Sequence, residues 1–343
     1  MIYRNLLILS VASLVFPACI TATGYKRVDR HDTQVATADN GSRVLQTQSQ
    51  GFISFEEIIE RSPSVTASQQ VTSLKDVREP GAFTLSPDGR QVVFTAYDDD
   101  TDSFNLWRVS SGGGAAATQI TNGRYYDQDP AYSADGSSIY FASNRSSSIH
   151  GIWRVSATGA GGLVRITSGS SVDRLPTPGP GNEVLFASTP ENASEPQVWS
   201  ISEGGSLPTQ LREGSYPQLS PDGTRILYSQ FDKRSGFWRI WVMNVNGTNQ
   251  TQLSQGADGD QMHATWAPDG EHIVFASNEG RDSNGKKNFD IWRMASDGSN
   301  PTQLSTNGST DFLPKFSPTG KTVYFLSNRG FNWDIWRFEV VDM

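Results

Sequence analysis

A single cysteine, Cys19, and four histidines, His31, His150, His263 and His272, occur in 343 residues. One thiol excludes an internal disulfide framework, and the histidines share no metal-ligand spacing. No Gly-x-Ser-x-Gly elbow, His-Glu-x-x-His pair or phosphate-cradling glycine loop is present, so the signatures of the common hydrolases, metalloproteases and nucleotide enzymes are missing. Positive charge is also in deficit. With 28 Lys and Arg against 36 Asp and Glu the formal net charge is -8, and no basic cluster with interleaved aromatics exists to gather a phosphate backbone. Nucleic acid is therefore not an expected partner. Beyond residues 6–16 no apolar run approaches the length of a membrane helix.

That early run has the shape of an export signal, with Arg4 ahead of it and small residues behind. Residues 1–18 are accordingly read as a signal peptide. Cys19 follows Phe16, Pro17 and Ala18 at the end of the run, the place of an acylated lipobox cysteine, although Phe16 and Pro17 depart from the usual Leu and small residue. Lipidation at Cys19 would make an anchor the chain's only link to a membrane. Ile20 in place of Asp after the cysteine then favours the outer membrane, facing the periplasm. Residues 19–64 are rich in Thr, Gln, Asp and Ser and read as a polar tether, with one short helix expected at residues 52–61.

What the chain has in abundance is repetition. Trp107, Trp153, Trp199, Trp241, Trp292 and Trp336 are spaced by 46, 46, 42, 51 and 44 residues, the period of a propeller blade. Each unit carries a tight turn: SPDG at Ser86, SADG at Ser133, SPDG at Ser220, APDG at Ala267, SPTG at Ser317 and a degenerate PGPGN near Gly179. The Asp-Gly step supplies the positive φ of a hairpin. A β-branched and aromatic strand follows each turn, as in QVVFTA, SIYFAS and HIVFAS. The expected fold is all-β, a six-bladed β-propeller over residues 65–343.

Short final strands are visible at Gln119, Arg165, Gln210, Gln252 and Gln303, five for six units. The last unit ends without one, whereas Gln70, Val71 and Thr72 stand alone ahead of the first. The N-terminal QVT is therefore expected to complete the sixth blade and close the ring, leaving no open edge.

The repeat of SPDG, then Ser143-Asn144-Arg145, Ser277-Asn278 or Ser327-Asn328-Arg329, then Asp290-Ile291-Trp292-Arg293 or Asp334-Ile335-Trp336-Arg337, resembles the propeller of the TolB C-terminal domain family. The resemblance implies an envelope role, since that propeller contacts the peptidoglycan-associated lipoprotein in the Tol-Pal system. TolB carries an α/β domain ahead of its propeller. Only about 45 residues separate Cys19 from the first propeller strand here, too few for that domain. The reading is therefore TolB-like in the propeller and different in role, since fold alone does not fix function.

Two groups of residues are candidates for a site. Six residues before the turn, Asp127, Asp173 and Asp311 share a register on the innermost strands, with Asp129, Asp260 and His263 close by. Converging at one mouth of the tunnel, they would form an oxygen-rich ring suited to Ca²⁺ or a cationic ligand; alternatively, each caps its own loop. The six aligned tryptophans read as core between blades. Phe231, Phe237, Trp238, Phe331 and Trp333 lie outside that register and are candidates for an exposed contact surface. The function these features favour is non-catalytic binding of an envelope protein or peptide across one face. The alternative is a propeller enzyme or binding module acting on a glycan at the tunnel mouth.

Overall fold

The computed structural model describes residues 34–37, 43–46, 65–72, 80–204, 207–254, 258–280, 285–330 and 332–341. Cys19, the leader, the candidate helix at residues 52–61 and Phe331 lie outside the described residues. Within the segment read as a tether, Gln34–Thr37 and Arg43–Gln46 pair as an antiparallel ribbon.

Six four-stranded antiparallel sheets follow, arranged as blades around a ring. From innermost to outermost strand, blade one is Phe83–Leu85, Gln91–Asp98, Ser103–Ser110 and Thr118–Gln119. Blade two is Asp127–Tyr132, Ser138–Ser143, Gly151–Ser156 and Val164–Arg165. Blade three is Val172–Pro178, Glu183–Thr189, Gln197–Ser202 and Thr209–Glu213. Blade four is Ser215–Leu219, Arg225–Asp232, Phe237–Asn244 and Thr251–Gln252. Blade five is Gln261–Trp266, His272–Ser277, Asp290–Ala295 and Thr302–Gln303. Blade six is Asp311–Phe316, Thr322–Ser327, Asp334–Glu339 and, from the other end of the chain, Gln69–Gln70.

The closing strand copies the chemistry of an ordinary outermost strand. In blade five Gln303 and Ser305 donate to the Asp290 carboxylate, while the Ser305 hydroxyl accepts from the Ile291 amide. In blade six Gln70 and Thr72 donate to Asp334 at 2.9 and 2.8 Å, and the Thr72 hydroxyl accepts from the Ile335 amide. The expected closure by Gln70 and Thr72 is thus present bond for bond.

The turns explain their own composition. Ser86 donates to Asp88 at 2.5 Å and accepts from the Gln91 amide, and Gly89 adopts φ +71°. A Cβ on Gly89 would also stand 3.3 Å from Pro318 of the preceding blade, so the glycine serves both the turn and the seam. In blade three the degenerate turn becomes a single 3-10 turn, Pro180–Asn182.

The core lies between blades, with one main cluster at each of the six seams and a second at the seam of blades four and five. Phe94, Phe141, Phe186, Tyr228, Phe275 and Phe325 sit at the same position of each second strand and are essentially fully buried. Truncating such a phenylalanine to alanine costs about 3–5 kcal/mol. The six aligned tryptophans each pack, partly buried, against one of these clusters. Their regular spacing therefore builds the seams, as read from the sequence.

Candidate functional site

The ring has two unlike faces. The Ser-Pro-Asp-Gly turns open on one, the turn face; the other, the loop face, carries the connections between second and third strands and between successive blades. Second and third strands pair over eight residues in blades one and four, two more than in blade two, and the surplus lies at the loop face. Two residues of strand raise each hairpin by about 7 Å. Blades one and four stand opposite one another in a ring of six, so the two hairpins flank the channel mouth.

The residues six before the turn do not form a ring of free carboxylates. Asp127 is fully buried and held by Arg145 of its own blade at 2.6 Å. Asp311 is likewise buried against Arg329 at 2.7 Å. Asp173 accepts from Ser188 at 2.6 Å, and its burial raises the carboxyl pKa above the usual range. Blade five keeps the contact with other residue types, Gln261 donating to Glu279. The Ser-Asn-Arg motif explains itself in the same stroke: Asn144, Asn278 and Asn328 accept from the amides of Tyr126, Asp260 and Thr310. The expectation of a convergent acidic mouth is corrected, because Asp127, Asp173 and Asp311 are each engaged by a side chain of their own blade. Among the described residues no three His, Cys, Asp or Glu side chains gather as metal ligands.

The residues four before the turn behave differently. Asp129, Leu175, Tyr216, His263 and Leu313 all have φ between 51° and 58°, and each sits where the innermost strand slips register against its neighbour. Holding a non-glycine residue left-handed costs about 1–2 kcal/mol. The bulges bring side chains into contact across blade boundaries. Asp129 of blade two receives a bidentate pair from Arg174 of blade three at 2.8 and 3.2 Å. The His263 ring of blade five lies 4.3 Å from Tyr216 of blade four and 5.7 Å from Phe312 of blade six, edge-on to both. Burial drives His263 down to about 3 and His150 to about 4, so both are neutral at physiological pH. His263, singled out in the sequence, is thus an aromatic wall element rather than a base.

From His263 the aromatic wall continues outward. Phe312 packs 4.6 Å from Phe289 and stacks at 6.1 Å on Trp333, which is half-buried at the loop face. Beside it Trp238, Met262, Ala276 and Phe289 form a cluster to which Phe231 is added. Trp238 is only 7% exposed, so its reading as surface is corrected: Phe231, facing it across the raised hairpin, covers it, and it packs on blade five. Asp260 holds it there by accepting from the Trp238 amide at 2.9 Å, which gives that aspartate a stapling role. Phe231, Phe237 and Trp333 are half-buried.

Residues 216–342 match the TolB beta propeller domain family. The propeller is TolB-like. A TolB homologue of Chlorobium luteolum is 31% identical over 130 residues, which are 37% of this chain and 27% of the relative. Three curated relatives are covered over only 24–34% of their own length. Among solved structures, TolB from Acinetobacter baumannii superposes with TM-score 0.61 at 16% identity, over 74% of this chain and 64% of that one. An oligogalacturonate lyase from Vibrio parahaemolyticus gives 0.55 at 12% identity, over 90% of this chain and 96% of that one. At such identities the likeness shows the fold alone. The TolB-like repeat accounts for the Ser-Asn-Arg and Asp-Ile-Trp-Arg motifs, which are structural here. The site residues that motif reading missed, Arg174, Tyr216, Phe289 and Phe312, lie on no motif; counting back four and five residues from each turn would have found three of them.

Proposed function

We propose that this TolB-like propeller is a non-catalytic envelope protein that binds a protein or peptide partner on its loop face. The observation that carries the reading is the aromatic wall running from Trp333 through Phe312 to His263 and Tyr216, from the loop face into the channel. Such a surface offers apolar area at low entropic cost, flanked by two raised hairpins. The Asp129–Arg174 pair across the channel supplies polar groups to fix a chain in register. Among curated relatives the Tol-Pal system protein TolB of Anaeromyxobacter dehalogenans lends support to an envelope partner. Placement in the periplasm, with Cys19 lipidated to the outer membrane, belongs to the same reading. Among the described residues no helix is long and apolar enough to cross a membrane. A glycan enzyme is the weaker reading, because the carboxylates it would use are engaged with partners inside their blades.

The test is affinity capture by the full chain from solubilised envelope. A stoichiometric protein lost with Trp333→Ala and retained with the turn-face variant Asp88→Asn supports the reading. Capture that survives Trp333→Ala and Phe231→Ala together rejects it.

A further inference from the structure

The loop face does not account for the other end of the channel. Between blades five, six and one a cavity of about 200 Å³ opens at the turn face. Lys315, Thr84 and Thr265 line it from the same register, two residues before the turn in blades six, one and five. Leu85, Trp266 and Phe316, one residue further on, add an apolar wall. Exposed prolines of the three turns form the rim, so solvent reaches the cavity.

The charges of the channel do not cancel. Asp129 is matched by its bidentate pair with Arg174, and His263 is neutral. Lys315 has no ion pair or hydrogen-bond partner among the described residues, and neither the Thr84 nor the Thr265 hydroxyl has a hydrogen-bond partner. A cation in a partly dry wall, with two donors beside it and no anion of its own because Asp129 is already paired with Arg174, is costly unless something charged arrives.

We propose that this turn-face cavity binds the carboxylate of a short aliphatic acid, with the Lys315 ammonium as counter-ion, the Thr84 and Thr265 hydroxyls as donors, and Trp266, Leu85 and Phe316 against the tail. One cation suits one negative charge; a phosphate carrying nearly two would be left partly uncompensated. The size of the cavity admits only a small ligand. Burial lowers the Lys315 ammonium to about 8, with the Asp129 carboxylate of blade two pulling the other way. The groups that face it are Asp129, paired with Arg174 of blade three, and the neutral His263 of blade five. Carboxylate binding therefore weakens as pH rises past about 8.

The test is saturation-transfer NMR on the full chain with butyrate as probe. At about pH 7 a saturable butyrate methyl signal is expected, absent with butanol, undisturbed by inorganic phosphate, and lost at about pH 9.5. Lys315→Met should weaken binding about tenfold or more, and Thr265→Val, which keeps the shape of the wall, several-fold. No butyrate signal, an equal signal from butanol, displacement by phosphate, or unchanged binding in both variants would overturn the proposal.

Discussion

Two positions on the innermost strands, two residues apart, do opposite work. Six residues before the turn, Asp127 and Asp311 each pair with an arginine of their own blade, and the chemistry recurs with Asp173–Ser188 and Gln261–Glu279. Four residues before the turn, Asp129, Tyr216 and His263 reach the next blade, whereas Leu175 and Leu313 hold the same position with apolar side chains. What repeats from blade to blade builds the blade. What changes between blades faces the channel and makes the site.

That contrast is sharpest where it is broken by mutation. Asp127→Ala leaves the Arg145 guanidinium, 8% exposed, without its carboxylate, and should cost about 3–5 kcal/mol in chemical denaturation. Next comes Thr72→Val, which strips two hydrogen bonds from the closing strand and should cost about 1–3 kcal/mol, since the buried Ile335 amide loses its acceptor. A loss near zero would mean that the ring does not depend on this strand.

A third change acts through pH. Asp290 is pushed up to about 8, first by burial and then by the neighbouring Asp311 charge, which Arg329 holds in place. Its stabilising neutral form is fully favoured below the ordinary carboxylate range, near 3.8, and that contribution is lost as pH rises through about 8. Asp290→Asn should therefore flatten the fall of Tm over this window, with the largest gain over the native chain at the alkaline end. A parallel Tm profile for both proteins would place Asp290 outside this linkage. The smallest expected effect on stability is that of Trp333→Ala, well under the cost of a core truncation because its ring is half-buried, yet its effect on partner capture should be the largest of the four.

The fold was legible because propeller repeats are written in short-range chemistry. Turn, strand and tryptophan recur at blade spacing, and the unpaired QVT at Gln70 had one place to go. The site was legible only in part. The same repetition that exposed the blades drew the eye to Asp127 and Asp311, whose partners Arg145 and Arg329 lie 18 residues away in a motif read for family likeness alone. Position in a loop-proximal stretch suggested that Trp238 was surface, but the raised hairpin places Phe231 over it and blade five beneath it. Tyr216 and Lys315 escaped notice because nothing local marks them. Their roles arise from bulges and from contacts between blades, as in the approach of His263 to Tyr216, 47 residues earlier in the chain.

The most direct test is in-cell photo-crosslinking of the full chain, with a photoreactive phenylalanine analogue, which keeps an aromatic ring in the wall, placed once at Trp333 on the loop face and once at Pro318 on the turn face. A discrete protein adduct is expected from position 333 and none from position 318. An adduct from position 318 alone, or from neither, would contradict loop-face binding.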